Sequence, residues 1–244
     1  MNPAGEGIDP ISLVAGAADA LPSGGFRSAA DMVMLLAVLS IAPAILMLCT
    51  CFTRIVVVLG LLRQAVGAQA MPPAQVTVGL SVLLTFAVMA PTFGRAWDAG
   101  IKPYMDGTIA SGDEAWARAR QPLREFMFAQ IDACGNWQTV YMLLAHRGVD
   151  VSDPARLTRA DVDMATLVPA FVLSELKTAF LIGFRVMLPF LVVDVVVASI
   201  LVSLGMFMVP PVLVSVPLKL LLFVLADGWT LVAGSVLAGM AVTP

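Results

Sequence analysis

Charge is what this sequence has least of. Asp, Glu, Lys and Arg supply 13% of its 244 residues, about half the share found in soluble domains. It has one histidine, His146, and three cysteines, Cys49, Cys51 and Cys134. That is too few for a Cys/His metal site. Cys49 and Cys51 are two apart, so on a helix they point roughly opposite ways, and a disulfide framework has no support. The net charge is −3, without a basic block, so nucleic acid finds no electrostatic footprint. The phosphate-cradling, zinc-protease and nucleophile-elbow motifs are all missing. No catalytic residue, cofactor or metal ligand is therefore assigned, and the chain is expected not to be an enzyme. Gly-x-x-x-Gly, the helix-dimer spacing, is missing as well.

What fills the space is hydrocarbon. Hydrophobic residues make up 59% of the chain, against about 45–50% in soluble domains. The excess requires lipid or partner subunits to cover it. The charges are also uneven, with 20 of the 31 falling between Arg95 and Lys177. This marks a water-facing middle flanked by apolar segments.

Four hydrophobic stretches follow one another. Met32 to Phe52 carries no charge, and Thr53-Arg54 interrupts it before Ile55 to Leu62. Val76 to Phe93 is the second, and Val186 to Leu204 the third, broken only by Pro189 and Asp194. Val209 to Ala241 is the fourth, carrying Lys219 and Asp227. About 20 helical residues cross a bilayer core, so the first three are long enough or nearly so, and the fourth has length to cross and partly return. None alternates apolar with polar as a barrel strand does. The expected fold is all-α: an integral membrane protein of helical hairpins with a polar central helical segment. Its segments are a flexible leader (1–31), N-terminal hydrophobic helices (32–93), the polar centre (94–168) and C-terminal hydrophobic hairpins (169–244). The leader lacks the basic start of a secretory signal. Arg54 and Arg63, read as a short link between the first two stretches, favour a cytoplasmic link. In the centre, Ser111 followed by Asp113 and Glu114 predicts a helix start, as does Thr158 followed by Asp161.

Polar residues inside apolar runs are the informative ones. A charge at bilayer depth costs at least about 2.5–3.5 kcal/mol and ordinarily faces protein or water. Asp194 and Lys219 are expected to pair, within one subunit or between neighbours. The competing reading has Lys219 snorkelling to an interface and Asp194 protonated or hydrated. Glu175 and Lys177 are two apart, cannot face each other on a helix, and are expected to contact another helix or subunit. Gly205-Met206-Phe207-Met208-Val209-Pro210-Pro211 is the sharpest feature. Gly205, Pro210 and Pro211 break a continuous helix, yet the side chains between are bulky and apolar. Irregular backbone at membrane depth is tolerated where protein buries it or it lines a cavity, and methionine fills irregular gaps. Copies of this segment around an axis would close a pore; the other reading is a plain apolar turn.

Several blocks now fall into one pattern. They are the run from Phe52 through Thr53-Arg54-Ile55 to Ala65, Met71 to Val76, Pro122 to Met127, Pro169 to Phe180, Pro189 to Asp194, and Asp227-Gly228-Trp229. In this order they resemble the FliP/SctR family of type III secretion export-gate proteins, over roughly Cys51 to Gly234. Thr53-Arg54-Ile55 and Leu225 to Trp229 look flagellar, the alternative being the SctR-type subunit of a virulence system. A small-molecule or ion transporter is the reading from another class, and it predicts paired broken helices in an internal repeat, of which there is no sign. The resemblance implies a ring-like homo-oligomer of five copies, joined by FliQ and FliR and contacting FlhB and FlhA. It implies a multi-pass location in the bacterial inner membrane, at the flagellar basal body. Unfolded flagellar subunits would pass through the gate. It places a methionine-rich gasket at Met206, Phe207 and Met208. From the residues themselves, Asp194, Lys219, Glu175, Lys177 and Arg54 are expected as intramembrane or intersubunit charges. In family complexes such helices pack into an assembly raised largely out of the bilayer. Two departures are visible: Phe207 stands where relatives carry methionine, and Leu181 where they carry a polar residue.

Overall fold

Helix limits in this chain follow its prolines, glycines and caps. The computed structural model describes residues 49–67, 73–153 and 157–240, with a few positions between 36 and 48. The leader 1–31 and about half of the stretch Met32 to Phe52 lie outside the described residues. Among those described, every regular element is helical: α1 (Phe52–Val66), α2 (Ala74–Ala96), a π-helical turn (Trp97–Ile101), α3 (Lys102–Met105), α4 (Gly112–Cys134), α5 (Trp137–His146), a 3-10 turn (Arg159–Asp161), α6 (Met164–Ser203), α7 (Pro211–Leu225) and α8 (Gly228–Ala238).

Two helices have the length and composition to cross a membrane. One is the continuous run Ala74–Met105 of 32 residues, and the other is α6 with 40. A 40-residue helix is about 60 Å long, roughly twice a bilayer's hydrocarbon core. The α7–α8 pair would count as a third crossing only if its 67° bend is accepted within one span. The expected second and third stretches thus lie inside longer helices. Glu175 and Lys177, expected ahead of the third stretch, sit within α6 itself. Another expectation is corrected. Arg54 and Arg63 do not form a link, because both lie on α1.

Four hydroxyls inside the long helices are satisfied by the helices themselves, whereas that of Thr77 is not. Ser81 donates to the Thr77 carbonyl at 2.8 Å and Thr85 to the Ser81 carbonyl at 2.6 Å. Ser199 and Ser203 do the same on α6. Returning a hydroxyl to a carbonyl four residues back removes an unsatisfied donor, which a nonpolar surround requires.

The chain divides into two compact units. The first includes Met89–Ser174. Its core is built on α4, whose Phe126, Met127, Phe128 and Ile131 are buried along with Val140, Leu144, Leu167 and Phe171. Phe126 meets Phe171 edge-on at 6.1 Å between ring centres. Phe128 stacks with Trp137 and carries the guanidinium groups of Arg124 and Arg159 over its ring, at 5.0 and 5.4 Å. Gly100 in the π turn lies so close to α4 that a β-carbon there would overlap the backbone at Ala115 and Ala119. Ser111 does stand at the start of α4, with Asp113 and Glu114 in its first turn, although the Ser111 side chain makes no capping bond. Thr158 and Asp161 form a capping box around a 3-10 turn. His146 closes α5.

The second unit comprises Phe52–Val88 and Glu175–Met240. Ile55, Val58, Leu59 and Leu62 of α1 are buried, with Phe190, Phe223, Val232 and Val236. Much of its remaining apolar surface is bare: Phe180, Phe184, Val195, Ile200, Leu213, Val224 and Leu231 are all exposed.

Candidate functional site

Two ion pairs lie in the second unit, and both cations use the same device. Arg54, in the first turn of α1, donates from Nε to Glu175 Oε2 at 2.8 Å and from Nη2 to Oε1 at 2.5 Å. Both side chains are 0% exposed. Its Nη1 donates to the carbonyl of Gly239, at the end of α8, at 2.5 Å. Lys219 of α7 donates to Asp194 Oδ2 of α6 at 2.6 Å and to the carbonyl of Ala65, near the end of α1, at 3.0 Å. Each cation therefore holds a carboxylate and one carbonyl at a helix C-terminus. Those carbonyls lack partners within their own helix and carry the negative end of its dipole, so the cation satisfies both together.

The pairs differ in their exposure. Lys219 is buried, while the Asp194 side chain is 37% exposed. The expected Asp194–Lys219 contact thus forms within one chain and fixes α6 to α7 on either side of the segment between them. The Arg54–Glu175 contact escaped sequence reasoning. In sequence Glu175 stands two residues from Lys177, which is exposed, whereas its partner is 121 residues away.

The segment between α6 and α7 is irregular. Helix α6 closes through Gly205, whose φ is +76°. The Gly205 amide donates to the Val202 carbonyl and the Met206 amide to the Leu201 carbonyl, at 3.0 and 2.9 Å. This is a Schellman closure, and glycine suits it because a left-handed φ carries no β-carbon penalty there. Pro210 precedes α7 in an extended conformation, and Pro211 opens it. Prolines fit here because the first amides of a helix have no partner in any case. Between them, Met206, Phe207 and Met208 are 43%, 76% and 96% exposed.

Among the described residues no group of three or more His, Cys, Asp or Glu side chains is placed to hold a metal ion. Cys49 and Cys51 are buried, and no disulfide involves them or Cys134.

Fold and site together define an all-helical membrane protein with charge pairs locked between its helices and an exposed apolar turn. The chain belongs to the FliP family, whose model matches residues 35–236. It is 46% identical over 210 residues to a protein of Bacillus subtilis, covering 86% of this chain and 91% of that one. It is 48% identical over 205 residues to a protein of Caulobacter vibrioides, covering 84% and 74%. Against a protein of Pectobacterium carotovorum the identity is 45% over 217 residues, covering 88% and 81%. Each of these relatives is named flagellar biosynthetic protein FliP.

Proposed function

We propose that this chain is a subunit of the flagellar type III export gate, forming the channel through which unfolded flagellar subunits cross the inner membrane. It is not an enzyme in this reading. It works as a homo-oligomer of five copies with FliQ, FliR, FlhB and FlhA-type proteins. The names of its relatives support the flagellar side over the virulence side.

One observation carries the gate itself. Phe207 and Met208 are large apolar side chains held almost fully exposed on irregular backbone. Burying a side chain of this kind is worth about 1.5–3 kcal/mol, so a single chain leaves that free energy unused. Symmetry supplies the cover, because copies arranged about an axis bring the same turn together. Two flexible thioethers and one ring form a seal that deforms around a passing polypeptide. The pair Asp194–Lys219 holds the two helices that carry the turn.

The test is replacement of Met206, Phe207 and Met208 together by alanine. The assembled mutant should leak small ions across the membrane, measured as loss of membrane potential. Normal potential in cells holding the assembled mutant complex would overturn the seal.

A further inference from the structure

A cavity in the second unit lies apart from both ion pairs and from the exposed turn. It measures about 490 Å³ and is walled by Leu59, Leu62, Leu220, Val224, Phe223 and Trp229 among others. Two of its lining residues differ in kind, Arg63 and Thr77. The same two line a neighbouring groove of about 650 Å³, together with Gln64. An apolar chamber and a more polar groove therefore adjoin at one arginine and one threonine.

The charge lining these spaces is basic. Among the described residues that line the two spaces, Arg63 is the charged one. The Thr77 hydroxyl is buried and lacks a hydrogen-bond partner among the described residues. Ser81 and Thr85, on the same helix, do return theirs to carbonyls four residues back. A buried hydroxyl without a partner is destabilising, and an acceptor arriving from outside would satisfy it. The chamber's volume lies in the range of small-molecule sites, which are mostly apolar with a few placed polar groups.

Position narrows the occupant. Val76, Thr77 and Leu80 line the chamber, and they belong to the first turns of the long apolar helix Ala74–Met105. The chamber therefore lies at one end of a candidate span. Trp229 is of the residue type that gathers at headgroup depth. Basic pockets between membrane helices bind anionic phospholipid headgroups. We propose that chamber and groove together hold one anionic phospholipid, an acyl chain between the apolar walls and the phosphate against Arg63 and the Thr77 hydroxyl. A free phosphate would leave the chamber empty, and a zwitterionic lipid would bring a second, repelled cation to Arg63. This inference does not rest on the export reading and stands or falls separately from it.

The experiment uses the full chain, purified and exchanged into vesicles of phosphatidylcholine with a minor share of phosphatidylglycerol. It is then re-extracted, and the retained lipid is weighed by native mass spectrometry. Phosphatidylglycerol should be retained over phosphatidylcholine by about fivefold relative to its share, the effect of one basic residue at an anionic surface. Arg63→Gln should remove the preference and Arg63→Lys keep most of it. Val224→Trp, at an exposed wall position, should reduce retention of both lipids by filling the chamber. Excess inorganic phosphate should displace nothing. Arg63→Lys and Val224→Trp decide the matter if Arg63→Gln fails to accumulate. Equal retention of the two lipids, displacement by phosphate alone, or a Val224→Trp protein that loses subunit association while holding its lipid would each overturn the proposal.

Discussion

Arg54 and Glu175 face each other with neither side chain reaching solvent, joined by two hydrogen bonds of 2.8 and 2.5 Å. Such a pair is weak evidence for stability as a whole, since desolvating both charges offsets much of their attraction. Its value shows when one member is removed. Glu175→Ala should destabilise by about 3–5 kcal/mol, because it leaves an uncompensated buried cation. Arg54→Met with Glu175→Leu should recover most of that loss. A double-mutant cycle on unfolding of the detergent-solubilised protein measures it; additive single losses would show no coupling.

The second pair should respond in a fixed order. Asp194 keeps contact with solvent, while Lys219 is buried. Lys219→Met leaves a partly hydrated carboxylate and an unpaired Ala65 carbonyl, a cost of about 1–3 kcal/mol. Asp194→Asn leaves the buried ammonium with a neutral partner, and it should cost more. Steady-state protein level and thermal unfolding give the ranking, and the reverse ranking would contradict the burial assigned here.

That contrast also marks what the sequence could reveal. Asp194 and Lys219 each interrupt an apolar run, and each run flanks the same Gly/Pro break, so their pairing was legible. Arg54 sits beside the start of a hydrophobic run and Glu175 beside Lys177, so each resembled an interfacial charge. No periodicity connects two residues 121 positions apart; only the packing of α1 against α6 does. The helical class, the second and third stretches and the turn at Gly205 to Pro211 followed from composition and backbone chemistry. The π turn at Trp97–Ile101 did not, because Gly100's close approach to Ala115 and Ala119 is a property of packing that leaves no pattern along the chain.

Space around two glycines predicts unequal damage. A β-carbon on Gly183 would meet only side-chain atoms of Leu61, whereas one on Gly100 would meet backbone atoms of Ala115 and Ala119. Gly183→Ala should cost about 1–3 kcal/mol, the usual penalty of overpacking. Gly100→Ala should exceed it, and limited proteolysis of the two purified variants should cut the Gly100 variant faster.

Acid should loosen the start of α6. Partial burial pushes the Asp163 carboxyl up, but hydrogen bonds from Arg147 and Thr166 outweigh this, and its pKa lies below the usual carboxylate value. The Thr166 amide donates to Asp163 Oδ1 at 3.0 Å, a helix N-cap. A depressed folded pKa adds stability above the unfolded value, and that stability is lost as pH falls through the folded pKa. Asp163→Asn should keep the cap and flatten the acid dependence. Asp163→Ala should lose about 1 kcal/mol at neutral pH. Hydrogen exchange at Thr166 and Leu167 across an acid titration measures both.

The reach of Arg54 has a consequence for biogenesis. Its carboxylate partner is encoded 121 residues later and its carbonyl partner 185 residues later. At roughly 5–20 residues per second of synthesis, the guanidinium waits about 6–24 s for Glu175 to be made. During that interval the ribosome has delivered a cation with no counter-ion from its final site. Whatever shelters it then, whether water, lipid phosphate or an insertion factor, must let go before the guanidinium can close on Glu175 and the Gly239 carbonyl.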